Sequence, residues 1–269
     1  MTRAAHSLAG LLGVVAVAGI GYARPAGSHV DLALVLAVDV SASISTREQR
    51  LQRQGYVAAF RSPGVIEAIR SGPMGRIAVA YVEWSGPSYQ TIAVPWTLVD
   101  GSESAENFAS RLEAEPLSRE FDTSIAGAIA FSAELLASIP FSANRKVIDI
   151  SSNGPNNTGP PVVPARDAVL AKGITVNGLP VMVKMSWSGG LYSIAGLDFY
   201  FEDCVIGGPG AFVVAVKHPD EFKRAIERKL VLEIADRSGT VQLAALHKRP
   251  ERMDCLAGEK NSGRLLPVE

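Results

Sequence analysis

The sequence predicts an α/β fold: a doubly wound, mostly parallel open sheet with one antiparallel edge strand and helices on both faces. Three observations carry this. The run Asp31-Leu-Ala-Leu-Val-Leu-Ala-Val-Asp-Val40 is apolar at nearly every position, similar runs alternate with helical patterns down the chain, and Ser85-Gly86-Pro87 joins two neighbouring strand patterns. A strand covered by helices on both faces reads as continuously apolar rather than alternating, which places the first run at the centre of a parallel sheet. Strands separated by helical stretches imply βαβ crossovers, while a short Gly-Pro turn between strands implies a hairpin, hence the antiparallel edge.

The elements follow in order. After the first strand, Ser45 and Glu48 form the Ser-x-x-Glu pattern of a capping box, and Leu51, Val57, Ala58 and Phe60 give a broken apolar face through a helix to about Arg61. Arg76–Trp84 and Ser88–Val94 read as the hairpin strands. Helices are expected at Ser104–Glu115 and Ser124–Ala137, a strand at Lys146–Ile150, a helix at Val162–Lys172 ending at Gly173, and strands at Ile174–Leu179 and Ala211–Val216. A long helix at Glu221–Ala235 carries Phe222, Ile226, Leu230 and Ile234 on one side.

With 269 residues, the chain is long enough for one well-buried α/β domain, expected over residues 24–236, with a polar and weakly periodic tail over 237–269. A net charge of −1, with 47% hydrophobic and 20% charged residues, argues against intrinsic disorder and against a broad cationic face for nucleic acid. At the start, Arg3 precedes the unbroken apolar run Leu8–Ile20, and Gly21-Tyr22-Ala23 offers small residues where a signal peptidase reads. The expectation is therefore a signal peptide over residues 1–23 and an exported protein, periplasmic or secreted. The run falls short of the ~20 residues that span a bilayer, favouring a removed signal over a retained anchor and no stable membrane insertion after cleavage. Export to an oxidising compartment would let Cys204 and Cys255 pair and tie down the tail; two unpaired thiols are the alternative.

Ligands of such sheets sit beyond the carboxyl ends of the strands, where strand order reverses. There the chain has Asp39-Val40-Ser41-Ala42-Ser43. Alternate residues of extended chain share a side, so one carboxylate and two hydroxyls can converge as the strand opens into its loop. These are hard oxygen donors, suited to Mg²⁺, or to Mn²⁺ or Ca²⁺. Alone the pentapeptide is a weak signal, because Ser and Asp are common at strand ends and helix caps. Two further loops strengthen it: Thr123 lies at the mouth of the helix Ser124–Ala137, and Ser152-Asn153-Gly154 closes the next apolar strand. Asp39, Ser41, Ser43, Thr123 and Asn153 would thus meet at one pole of the sheet; Asp122 is left outside this set, since an acid beside a helix start is expected from the helix dipole.

In order and spacing these residues resemble the metal-ion-dependent adhesion site of von Willebrand factor type A domains, over roughly Asp31 to Asp236. Val82-Glu83-Trp84-Ser85-Gly86, Gly154-Pro155-Asn156-Asn157 and Cys204–Phe212 further resemble an exported bacterial subgroup, domain of unknown function 1194. The resemblance implies that Ser41, Ser43 and Thr123 contact a metal and that Asp39 orients water and ligands. The position of Asn153 is normally an aspartate that completes the shell. Asn can offer its carbonyl oxygen but no charge. Asp149 lies four residues earlier, inside the strand. A divalent cation among these residues would keep about one uncompensated positive charge and attract an incoming carboxylate.

The function expected is therefore a metal-dependent protein-binding module of adhesion type, not an enzyme, whose partner offers an Asp or Glu carboxylate. One alternative is a metal-dependent hydrolase on the same fold, which the sequence supports little. Ser41 replaces the second acid of an Asp-x-Asp phosphatase pattern, no P-loop or Gly-x-Ser-x-Gly elbow occurs, and His29, His218 and His247 are scattered. Another is a structural envelope domain with a vestigial metal site. For the single residues, Ser45 reads as a helix cap, Ser43 and Thr123 are open to the same reading, and Asn153-Gly154 to that of a tight turn. Among Trp84, Trp96 and Trp187, burial is the commoner fate of the first two, and Trp187 is the candidate for partner contact.

Overall fold

The computed structural model describes residues 29–183, 194–236 and 252–263. The expected signal segment with its cleavage point, Trp187 and most of the tail lie outside these residues. Five strands form one sheet in the order β3-β2-β1-β4-β5, with β1 His29–Asp39 at the centre, β2 Ile77–Trp84, β3 Gln90–Val99, β4 Ser142–Ser152 and β5 Thr175–Pro180. β1 pairs in parallel with β2 and β4, β4 with β5, and only β3 runs antiparallel, as the edge.

Successive side chains of β1 feed two cores. Leu32, Leu34, Leu36 and Val38 face one side of the sheet, where α1 Thr46–Phe60, α2 Pro63–Arg70, α3 Ser102–Ala114 and α7 Phe222–Ile234 supply Tyr56, Phe60, Ile69, Phe108, Phe222 and Leu230. Ala33, Val35 and Ala37 face the other, against Ile125, Ile129 and Leu136 of α4 Ile125–Ala137, Val162 and Val169 of α5 Val162–Leu170, and Tyr200 and Phe201. All these β1 side chains are within 3% of full burial. This is why the strand carries no polar residue between Leu32 and Val38. At ~25 cal/mol per Å² each large member stabilises the fold by about 2 kcal/mol.

Several elements differ from the sequence expectation. β3 continues past Pro95 to Val99 rather than stopping at Val94; Pro95 is tolerated because it sits on the edge, where pairing with β2 shifts register between Val79 and Tyr81. Ala211–Val216 is not a regular strand. It follows β5 through single bridges, Gly178 to Val213 and Val181 to Val216, and Phe212 N donates to the Asn177 side chain instead of a ladder carbonyl. α2 was not anticipated, although Ser62 caps it by accepting from Val65 N and Pro63 occupies its first turn. The short α6 Leu197–Tyr200 runs into a π-helical turn at Phe201–Val205, and α8 Ala257–Gly263 lies in the tail.

The Cys204–Cys255 disulfide forms, so the bridged alternative holds. It pins the tail segment 252–263 to the sheet face that carries α4 and α5, where Met253 N also donates to Asp203. Among the described residues no helix is long and apolar enough to cross a membrane.

Candidate metal centre

β1 is where strand order reverses, with β2 on one side and β4 on the other. The parallel registers set Trp84 beside Asp39 and Ser151 beside Val38, so Asp39, Ser85 and Ser152 reach the same pole. Here β1 ends. Val40 N still bonds to Trp84 O (2.9 Å), Ile44 N closes a turn onto Ser41 O (2.9 Å), and Ser45 then caps α1 through the expected capping box with Glu48. The cap being Ser45, Ser41 and Ser43 are left for other work.

Asp39 is fully buried, and both of its oxygens are occupied. Oδ1 accepts from Ser41 N–H at 2.7 Å and Oδ2 from the Ser152 hydroxyl at 2.5 Å. Burial pushes its carboxyl up to about 6, against the hydrogen bonds from Ser152 and Ser41, which lower it. No side-chain cation contributes to that balance. From Ser41 a chain of hydroxyls runs outward. Ser41 Oγ and Ser43 Oγ are 3.0 Å apart, and Ser43 Oγ donates to Asn153 Oδ1 at 2.9 Å. Ser41 is buried, Ser43 exposed and Asn153 half-buried, so the oxygens lead from the core to solvent at Ser43 and on to the loop after β4.

Thr123 arrives on the loop between α3 and α4, and its backbone is what the structure fixes. Ser41 forms a parallel bridge with Glu120, whose N–H donates to Val40 O at 3.2 Å. Buried Ser85 Oγ lies 2.6 Å from Phe121 O and 2.8 Å from Asp122 O, sharing one proton between them, and Ser124 N donates back to Ser85 O. Asp122 turns the chain with φ 67°, a left-handed conformation uncommon outside glycine. Thr123 is left 4% exposed and clasped by Asn157, which accepts from Thr123 N and donates its own N–H to Thr123 O, both at 2.9 Å. The cap of α4 is Ser124, accepting from Gly127 N, so Thr123 is not the cap. Its hydroxyl joins none of the hydrogen bonds that link Asp39, Ser41, Ser43 and Asn153.

Farther back, Arg53 of α1 holds the start of the same loop, donating to the Glu115 and Pro116 carbonyls while pairing with buried Glu83 of β2. Asp149 lies inside β4, buried, and pairs with Lys229 of α7 at 2.7 Å. Asp122 is exposed, Trp84 is fully buried, and Trp96 is half-buried with Nε1 donating to Leu135 O.

Sequence reasoning missed three contributors. Ser152 orients Asp39, Asn157 clasps Thr123, and Asn156 accepts from Ala126 N at the start of α4 while donating to Thr158 O, Pro160 O and Glu259. The tetrapeptide Gly154–Asn157 stood out in the sequence, yet nothing in it separates a loop asparagine that bridges two segments from one that merely turns.

Among the described residues no three His, Cys, Asp or Glu side chains gather as metal ligands. A cation at this pole would rely on one carboxylate with hydroxyl and amide oxygens. That donor set fits a hard divalent ion, and a buried carboxylate balanced by no side-chain cation is the electrostatic setting in which one is expected.

The fold is that of a von Willebrand factor A-like α/β domain. The chain belongs to the family described as protein of unknown function DUF1194, whose model matches residues 29–238. Among solved structures it is similar to a von Willebrand factor type A protein from Catenulispora acidiphila, with TM-score 0.54, 11% identity, and coverage of 76% of this chain and 43% of that one. The pilus adhesin SpaC from Lactobacillus rhamnosus GG gives TM-score 0.55, 12% identity, and coverage of 78% and 31%. Proximal thread matrix protein 1 from the mussel byssus, with a zinc-occupied MIDAS motif, gives 0.52, 15%, and coverage of 76% and 46%. The chain thus spans less than half the length of each. A comparison with curated proteins matched none.

Proposed function

We propose that this chain is an exported, metal-dependent protein-binding module that captures a partner carboxylate through a divalent cation. The observation that carries the reading is the run of oxygens from buried Asp39 through Ser41 and Ser43 to Asn153, at the strand end where the order reverses. Ser41, Ser43 and Thr123 would offer hydroxyl oxygens to Mg²⁺, or to Mn²⁺ or Ca²⁺. Asp39, with both oxygens already accepting from Ser41 and Ser152, would orient the Ser41 segment and supply the negative charge. Asn153 would contribute its carbonyl oxygen. When bound, the cation supplies Lewis acidity toward an oxygen ligand and leaves a position for an Asp or Glu side chain. No reaction is assigned to the site.

The similar structures support the reading at the level of fold, and one is described with zinc in its MIDAS motif. The test is a thermal-shift titration with Mg²⁺, Mn²⁺ and Ca²⁺ on the mature protein and on Ser41→Ala. A saturable rise in melting temperature that the variant loses is expected, since a ligand of the native state stabilises it by mass action. A pull-down from envelope extract with Mg²⁺ or with chelator then reads partner capture. A flat titration for all three cations would leave a structural domain with a vestigial site.

A further inference from the structure

Beside the candidate centre stands a large apolar side chain that the fold leaves in water. Phe121 is 78% exposed, whereas the other exposed large hydrophobics among the described residues, Leu256, Ile92 and Met74, reach 42%, 39% and 37%. It lies one residue beyond the Ser41–Glu120 bridge and two before Thr123. Its backbone is fixed on both sides: Glu120 N bonds to Val40 O, Ser85 Oγ contacts the Phe121 and Asp122 carbonyls, and the left-handed turn at Asp122 sends the chain inward immediately afterwards. Gly86 completes the seat, where an added Cβ would stand 3.2 Å from the Phe121 carbonyl. An aromatic presented on an immobilised loop loses little conformational freedom when a partner covers it, and aromatics ringed by polar groups are over-represented among residues that dominate binding. The polar ring is present. Exposed Ser43, Arg119 and Asp122 and half-buried Glu120 flank the same loop crossing, and the Arg119 guanidinium donates to Ala42 O at 3.0 Å.

We infer that Phe121 is the apolar anchor of the interface built around the candidate centre, and that the partner segment carries an Asp or Glu with a large apolar side chain close to it in sequence. This rests on the carboxylate-capture reading. The cation selects the acid, and Phe121 selects its neighbour, so recognition is two-pronged rather than a bare demand for a carboxylate.

The test pans a phage-displayed library of random linear peptides on the immobilised full mature chain in Mg²⁺, with elution by EDTA. The wild type should enrich acidic peptides with a Leu, Met, Phe or Trp near the acid, and the same panning on Phe121→Ala should enrich acidic peptides without that neighbour. A synthetic peptide from the wild-type selection should lose roughly tenfold or more in affinity for Phe121→Ala. Phe121→Trp should retain it, and the Mg²⁺-induced thermal shift should be the same in all three proteins. Acidic peptides without an apolar neighbour, or an apolar preference that persists in Phe121→Ala, would overturn the role of Phe121 and leave carboxylate capture standing. Failure to enrich any EDTA-eluted acidic peptide would overturn carboxylate capture itself, and this inference with it. A wild-type dimer in sedimentation velocity that Phe121→Ala abolishes would assign the ring to self-association instead.

Discussion

Asn153 is the residue on which the charge of the pole turns, because it takes the Ser43 hydroxyl on a neutral oxygen where a carboxylate would add a negative charge. Asn153→Asp is expected to tighten Mg²⁺ binding roughly tenfold, about 1.4 kcal/mol, as the ligand charge count rises. Calorimetry giving equal or weaker affinity for the variant would count against the charge argument. Ser152 acts from behind. Its hydroxyl is the donor to Asp39 Oδ2, and Ser152→Ala should cost about 1–3 kcal/mol in urea unfolding, because a buried acceptor loses its partner. A loss within error would show that water replaces the hydroxyl. Asp39, Ser41 and Ser43 stand out in the sequence only together with the Thr123 and Ser152–Gly154 loops, since Ser and Asp are common at strand ends and helix caps. What Ser152 and Asn157 do was not legible there. Their roles come from the β1–β4 register and from a clasp between loops 34 residues apart, which no local pattern encodes.

Between elements, the loop after β4 is held from the far end of the chain. Asn156 ties this loop to α4 through Ala126 N and to α8 through Glu259, and Gly258 packs so close to the Asn156 carbonyl that a Cβ there would overlap it. The Tyr200 hydroxyl oxygen, immediately before the π-helical turn that carries Cys204, accepts from Asn156 N–H. The disulfide therefore fastens a strut against the segment that follows Asn153. On the chain-entropy argument a cross-link across 51 residues contributes about 4 kcal/mol. A Cys204→Ser/Cys255→Ser protein should lose about that much stability. Its amides should also lose hydrogen-exchange protection in residues 154–160 as well as 252–263. Loss confined to the tail would mean that the strut supports only itself. The sheet and the five long helices were readable because burial on one or two faces imposes a period. The segment 211–216 was apolar enough to read as a strand, yet Pro180 and the glycines before it leave only single bridges. α8, with Gly, Asn and Ser in its seven residues, is helical through its tether and packing rather than its propensity.

Across the whole molecule, the fold encloses a charged cluster between β4 and α7 that should govern stability against pH. Lys229, 1% exposed, pairs with Asp149 at 2.7 Å and with Glu233, while Asn177 Nδ2 donates to Glu233 at 2.9 Å and Lys229 also lies 5.1 Å from the centre of the Phe212 ring. One cation faces two carboxylates. Burial, with Asp149 adding to it, therefore lifts Glu233 to about 7 although Lys229 and Asn177 pull it down. At the pole Asp39 is lifted to about 6, chiefly by burial. A carboxyl with a raised native pKa holds its proton where the unfolded chain has released it. Between the unfolded and native values the native state binds more protons, so stability falls as pH rises. The window runs from about 4 to about 7 for these two groups, after which their effect is level, and it opposes the usual gain from carboxylates paired at the surface. Lys229→Met leaves two buried carboxylates without their cation and should cost about 3–5 kcal/mol at pH 8. At pH 5 the cost should be smaller, because protonation then relieves the repulsion. Asp149→Leu/Lys229→Met/Glu233→Leu removes every charge at once and should sit near or above wild-type stability at pH 8, as a buried ionic cluster seldom outweighs its own desolvation. Urea unfolding of the three proteins at pH 5, 6, 7 and 8 measures all of this. If the Lys229→Met deficit stays constant across that range, the carboxylates are not the source of the pH dependence, and the cluster is held by packing of the Lys229 stem against Phe212 rather than by charge.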